Sequence, residues 1–143
     1  MLLSQTGIYA LQAVLRLAQS GEDQLVAAAE LARELDIPSG YLAKTLHRLR
    51  REGLLSSTRG AGGGYRLALP AREISVLRVV APFQDVAVGK RCLLGGACDP
   101  EHPCEAHARW SRLTACGTTV LENTTVADLL GGTGDSPITR NDL

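Results

Sequence analysis

Three short segments in a fixed order constrain this chain more than anything else in it. Residues 27–35 carry apolar side chains at helical spacing, namely Ala28, Leu31, Ala32 and Leu35. Asp36-Ile37-Pro38 breaks that pattern, because Pro38 biases Ile37 away from helix. A second helical pattern restarts near Ser39 and continues to about Glu52, with Leu42, Leu46 and Leu49 inward. Two short apolar pieces follow, residues 54–58 and 65–69, on either side of Arg59-Gly60-Ala61-Gly62-Gly63-Gly64. Strand, glycine-rich loop, strand is a β-hairpin. Two helices joined by a tight turn and followed by such a hairpin make a winged helix-turn-helix.

The remaining pattern is also helical. Aromatic residues are only 3% of the 143, so the core must be built from Leu, Val and Ala, which favours helices. Residues 4–20 predict a first helix capped by Ser4, with Ile8, Leu11, Leu15 and Ala18 as its apolar stripe. A helix restarts at Ser75 with Val76, Leu77, Val79 and Val80, and Pro82 limits it. A loop containing cysteines spans residues 91–103. A longer helix then runs from about Cys104 towards Leu121, with Trp110, Leu113, Gly117, Val120 and Leu121 as its stripe and a weak point at Gly117-Thr118-Thr119. Thr125 and Asp128 form a capping-box start for a short last helix through Leu130. The expected fold is mainly α with a small β-hairpin wing. Its divisions are a winged helix-turn-helix over 1–72, a cysteine loop with further helices over 73–130, and a Gly-, Pro- and polar-rich tail over 131–143.

Charge sharpens the functional expectation. The whole chain is neutral, with fifteen basic and fifteen acidic residues, which taken alone speaks against a polyanion partner. Yet Lys44, Arg48, Arg50, Arg51, Arg59, Arg66 and Arg72 face only Glu52 between Pro38 and Arg72, a local +6. Residues 1–72 sum to +3 and residues 73–143 to −3. A basic helix beside an Arg-bearing hairpin is the arrangement that counterion release from phosphates rewards, so double-stranded DNA is the expected partner. The outward face of the second of the paired helices offers Ser39, Tyr41, Lys44, Thr45, His47, Arg48 and Arg51. Ser39, Tyr41 and Lys44, at its N-terminal end, are placed for base edges in the major groove. Arg48 and Arg51 are placed for phosphates, and Arg59 at the hairpin tip for the minor groove. Gly62 and Gly63 are expected to let the backbone approach the DNA closely.

Cys92, Cys98 and Cys104 recur at C-x5-C-x5-C, and His107 follows as C-x2-H. Cys104 and His107 share a helix face. Soft thiolates on a loop containing Gly95, Gly96, Pro100 and Pro103 suit a metal centre. Spacing leaves an iron–sulfur cluster and a Zn2+ site both open, although zinc sites usually contain a closer cysteine pair. His102 is a weaker ligand candidate, and Cys116 is expected to be a small packed residue. The Cys104–His107 pair lacks an oxyanion glycine motif or an orienting acid, so no enzyme and no small-molecule substrate is expected. The N-terminus carries no secretion signal and no stretch approaches a membrane span. Both point to a cytoplasmic protein without a membrane partner.

Taken together, Gly7-Ile8-Tyr9-Ala10, Tyr41-Leu42, Leu49-Arg50-Arg51-Glu52-Gly53-Leu54, Arg59-Gly60-Ala61-Gly62-Gly63-Gly64-Tyr65 and the Cys92, Cys98, Cys104, His107 set resemble the Rrf-type winged-helix transcription regulators, particularly those with an iron–sulfur cluster. The resemblance runs from Met1 to about Leu130. It implies a homodimer on a palindrome-like operator, with the long helix bearing Trp110, Leu113 and Val120 as the dimer seam. It also implies a 2Fe–2S cluster held by the three cysteines and His107. Some relatives that sense nitric oxide draw a fourth ligand from an aspartate in the first helix; here Gly7, Ile8 and Tyr9 supply none. Ala43 stands where an acidic residue is usual among the cluster regulators. The alternatives outside this resemblance are a zinc-stapled or cofactor-free winged-helix repressor, and an iron–sulfur electron carrier or redox enzyme.

Overall fold

A computed structural model describes residues 3–84, 92, 94, 95, 98, 99 and 101–131. The expected tail beyond residue 131 lies outside the described residues, as do Arg91, Gly96 and Pro100 of the cysteine loop.

The first helix, α1, spans Gln5–Gln19 and starts where Ser4 accepts a hydrogen bond from the Gly7 N–H at 3.0 Å. Its buried face is Gly7, Ala10, Ala13, Val14, Leu15 and Leu17. Of the expected stripe only Leu15 is fully buried, while Ile8, Leu11 and Ala18 are half-buried. The physical reason is that α1 is enclosed by other elements on more than one side, and the small side chains of Ala10 and Ala13 let them approach closely.

Helix α2 spans Ala28–Glu34 and helix α3 spans Ser39–Arg51. The turn between them is a Schellman motif. Asp36 takes a left-handed φ of 52°, the Ile37 N–H donates to Ala32 O at 3.0 Å and the Asp36 N–H to Arg33 O at 3.4 Å. α3 ends the same way on Gly53 at φ 75°, with Leu54 N–H donating to Leu49 O at 3.1 Å and both leucines buried. Leu42, Leu46 and Leu49 are fully buried, as their spacing predicts. Thr45, expected on the outward face, is 2% exposed instead, and its hydroxyl donates back to Tyr41 O at 3.1 Å. The helix satisfies this hydroxyl internally, so it can sit within the leucine face at little cost.

The wing follows. Strand β1, Leu55–Thr58, pairs antiparallel with β2, Gly64–Leu67, in the register Leu55 with Leu67 and Thr58 with Gly64. A further bridge joins Tyr65 to Val26, just before α2, through bonds of 3.0 and 2.8 Å. This bridge fastens the wing to the helix-turn-helix.

Ser75 caps α4, Val76–Val80, and Pro82 sits in the 3-10 turn Ala81–Phe83 that closes it. The long helix α5 spans Glu105–Asn123 and runs unbroken through Gly117-Thr118-Thr119. There Thr114, Thr118 and Thr119 donate their hydroxyls to carbonyls four residues back, at 2.9–3.0 Å. The last helix, α6, spans Val126–Gly131 and opens on the expected capping box. Its start is bonded to the start of α4: Val126 N–H donates to Ile74 O, and Val76 N–H to Thr124 O, each at 2.8 Å. Val126, Ile74 and Val79 thereby join one core with Val14, Leu17, Leu31, Leu42, Leu46 and Leu49. Among the described residues, no helix is long and apolar enough to cross a membrane.

Candidate metal centre and nucleic-acid interface

Ser39, Tyr41, Lys44, His47, Arg48 and Arg51 are all exposed on α3, and Arg59 is exposed at the start of the wing turn. Burial of Leu42, Leu46 and Leu49 on the opposite side fixes which way these side chains face. Arg48 forms an i,i+4 pair with Glu52 at 2.9 Å, and the partly exposed geometry leaves it weakly held. Tyr41 is more constrained than its sequence position suggests. Its hydroxyl is hydrogen-bonded to Thr6 of α1, and its ring stands edge-on to Tyr9 with centroids 5.7 Å apart. In the wing, Arg66 Nε donates to Ser56 Oγ at 3.4 Å. Gly62 takes φ 74°, and a Cβ on Gly63 would lie 2.2 Å from Thr58 O. Gly63 is therefore needed for the close approach of the wing to itself, whatever it does at DNA.

The second cluster of chemistry is the cysteine loop. The sulfurs of Cys92, Cys98 and Cys104 lie within 4.8 Å of one another, and Cys92 and Cys104 are 3.7 Å apart. Cys104 is the N-cap of α5, and its sulfur accepts the His107 N–H at 3.4 Å. Cys98 Sγ accepts the Cys104 N–H at 3.4 Å. Gly95 turns the loop at φ 72°, with its N–H donating to Cys92 O at 2.9 Å. These amide donors were not legible from ligand spacing, because they depend on how the loop folds back.

The thiols do not share one electrostatic environment. The His107 amide, with help from the Cys92 side chain, holds Cys104 below the usual thiol range. At Cys92 the Leu94 amide favours the thiolate, but desolvation and the neighbouring Cys104 and Cys98 outweigh it and push that thiol up. Three thiolates this close repel unless a cation lies between them. His107 sits one turn into α5 and is not part of the sulfur group, yet its Nδ1 is buried without a hydrogen-bond partner. A converging set of three soft sulfurs, one of them capping the helix that carries His107, fits a metal or cluster site. His102 is turned to Asp99 instead, at 3.1 Å, and stands apart from the sulfurs. Cys116 is exposed on α5, contrary to the expectation that it packs; no residue of α5 is buried in the single chain.

The Rrf2 family model, described as an iron-dependent transcriptional regulator, matches residues 3–132. The HTH-type transcriptional regulator IscR of Escherichia coli is 34% identical over 151 aligned residues, covering 98% of this chain and 93% of its own length. Among solved structures, T. potens IscR superposes with a TM-score of 0.73 at 28% identity, over 90% of this chain and 85% of that one. CymR (YrzC), the global cysteine regulator of B. subtilis, superposes with a TM-score of 0.72 at 26% identity, over 92% and 97%. The family model and the Escherichia coli relative are both described as transcriptional regulators. The winged helix-turn-helix, the exposed basic helix and the near full-length match agree: this chain belongs to the Rrf2 family of DNA-binding transcriptional regulators.

Proposed function

We propose that this regulator acts in the cytoplasm as a homodimer on a palindrome-like double-stranded operator, and that it responds to the state of a 2Fe–2S cluster. Its ligands would be Cys92, Cys98, Cys104 and His107. The observation that carries the proposal is the convergence of the three sulfurs within 4.8 Å, one of them capping the helix that bears His107. The fold alone does not choose the signal, since it is shared with a global cysteine regulator. The donor set does.

Such a cluster supplies a reversible one-electron couple and a site that oxidants or nitric oxide can dismantle. A histidine ligand raises its potential relative to four cysteines. The chain's own residues do the rest. Cys104 joins the cluster loop to the first turn of α5, so an ordered loop fixes the start of that helix. The exposed length of α5 supports its role as the dimer seam, with Leu113 and Val120 outward at 54% and 57% and Trp110 half-buried. In a dimer joined there, the spacing of the two α3 helices must match half-sites about one helical turn apart. On α3, Ser39, Tyr41 and Lys44 would meet base edges while Arg48 and Arg51 hold phosphates. Arg59, Gly62 and Gly63 would carry the wing to the adjacent groove.

The test is anaerobic purification and reconstitution with iron and sulfide analysis, followed by operator binding of holo and apo protein at fixed salt. The expected result is two irons and two sulfides per chain, with operator affinity that differs between the two forms. Colourless protein carrying Zn2+, with no charge-transfer bands after reconstitution, overturns the cluster in favour of a zinc staple.

A further inference from the structure

His107 Nδ1 and Ser111 Oγ are the side-chain polar atoms that, among the described residues, are buried without any hydrogen-bond partner. They lie four residues apart on α5, so they occupy the same helix face on successive turns. Helical Cα–Cβ bonds tilt towards the N-terminus, which leans the Ser111 side chain back over the turn that holds His107. Two orphaned polar atoms one turn apart on the same helix are an unusual pair, because buried groups of this kind are nearly always partnered, and here neither bonds to the other.

We propose that Ser111 is the positioning residue for His107: when the cluster is bound, the two side chains turn together, the Ser111 hydroxyl accepts a hydrogen bond from the imidazole Nδ1–H, and the tautomer in which Nε2 carries the free lone pair for the cluster is fixed. The inference rests on the cluster reading above. The donor and acceptor roles balance. In that arrangement Nδ1–H donates to Ser111 Oγ, and the Ser111 O–H turns to donate to the carbonyl one turn back, a bond open to helical serines. Both orphaned atoms are then satisfied at once. A ligating imidazole that donates its other N–H to a fixed acceptor is held in orientation and made a better ligand. The Leu113 and Val120 face lies elsewhere around the helix, so this role is separate from the dimer seam.

The test uses full-length protein with Ser111→Thr, Ser111→Val and Ser111→Ala. Thr keeps the hydroxyl and Val has its shape without it. Three readouts are taken: the rate of cluster loss to a chelator, the midpoint potential, and nitrogen hyperfine coupling in protein labelled with 15N at a single ring position. Ser111→Thr is expected to retain the wild-type loss rate and potential. Ser111→Val and Ser111→Ala should both lose the cluster on the order of 10-fold faster and share a shifted potential. The strongly coupled nitrogen should be Nε2. Equal behaviour of Thr and Val, or strong coupling at Nδ1, overturns the proposal. So does a lowered melting temperature of the apo Val variant that accounts for its faster loss, because that marks a packing role. Wild-type protein that takes up no cluster at all overturns the proposed function itself, and with it the role of Ser111.

Discussion

The main-chain N–H of Ser4 donates to Oε1 of Gln84 at 2.8 Å, joining the first turn of α1 to a residue 80 positions later in the chain. The Ser4 hydroxyl adds a bond to Phe83 O at 3.0 Å while accepting from Gly7 N–H. One small residue therefore caps α1 and fastens the segment that leads on towards Cys92. Ser4→Ala should lower unfolding stability by about 1–2 kcal/mol, since it removes both the cap and the hydroxyl's bond to Phe83 O while leaving the main-chain bond to Gln84. Gln84→Ala should cost about 1 kcal/mol. Because the two side chains hold the same pair of segments together through neighbouring bonds, the double variant should lose less than the sum of the singles. Urea unfolding midpoints of the apo protein check all three, and full additivity would show the two bonds to act independently.

Gly63 is held by the shape of the wing. A Cβ there would fall 2.2 Å from Thr58 O and 2.9 Å from Gly60 O, both rigid backbone atoms. Gly63→Ala must therefore shift the hairpin turn and should destabilise the wing by about 1–3 kcal/mol. Amide exchange in residues 55–67 should rise while the exchange of α1 and α3 stays near wild type. An unchanged wing would contradict the tight turn.

Arg59 is exposed at the wing turn, and no ion pair involving it is found among the described residues. Its charge is thus available for phosphate. Arg59→Ala should weaken operator binding and reduce the slope of log affinity against log salt by about 1. Filter binding or fluorescence anisotropy across a salt series measures both. A lower affinity with an unchanged slope would assign Arg59 to a contact other than phosphate.

Much of this fold is legible in the sequence because its signals are local. Ser4, Pro38, Gly53, Ser75 and the Thr125–Asp128 box mark helix ends, and the glycine run marks the wing. What escapes is set by contacts between distant segments. The bridge from Val26 to Tyr65 has no signature at either end, nor does the tie from Ser4 to Gln84. Thr45 misleads because its polar identity hides a position inside the arc of Leu42, Leu46 and Leu49. Cys116 misleads the other way: a small apolar residue on a long helix reads as packed, but a single chain leaves α5 without a buried residue. The cysteine triad is legible from its spacing, whereas the amides that differentiate its thiols arise only when the loop closes on the start of α5.

Asp128 accepts from the Thr125 N–H at 2.8 Å and the Thr125 hydroxyl at 2.7 Å, and the Thr125 amide holds its carboxyl below the ordinary value of 3.8. A depressed folded pKa means that the ionised box stabilises α6 at pH above the unfolded value. That contribution fades as pH falls through the folded value. Asp128→Ala should therefore melt below wild type at neutral pH, and the gap should narrow steadily as the solution is acidified past the carboxylate range. A gap that stays constant to low pH would place the effect in packing instead of charge.

Leu113 and Val120 lie seven residues apart on a 19-residue helix, so they share one face across two turns. Both are more than half exposed in the single chain. Exposed leucine and valine in register are what a second copy of the same helix would cover in an isologous contact. Leu113→Asp places a charge where the monomer has solvent, so monomer stability should change by no more than about 0.5 kcal/mol. In a dimer the same charge would be buried against its symmetry mate without a partner, which is strongly unfavourable. Sedimentation should accordingly report a monomer with native helical content, and affinity for a two-half-site operator should fall far more than affinity for a single half-site. If the variant stays dimeric, α5 is not the seam, and the exposed face of this helix needs another explanation.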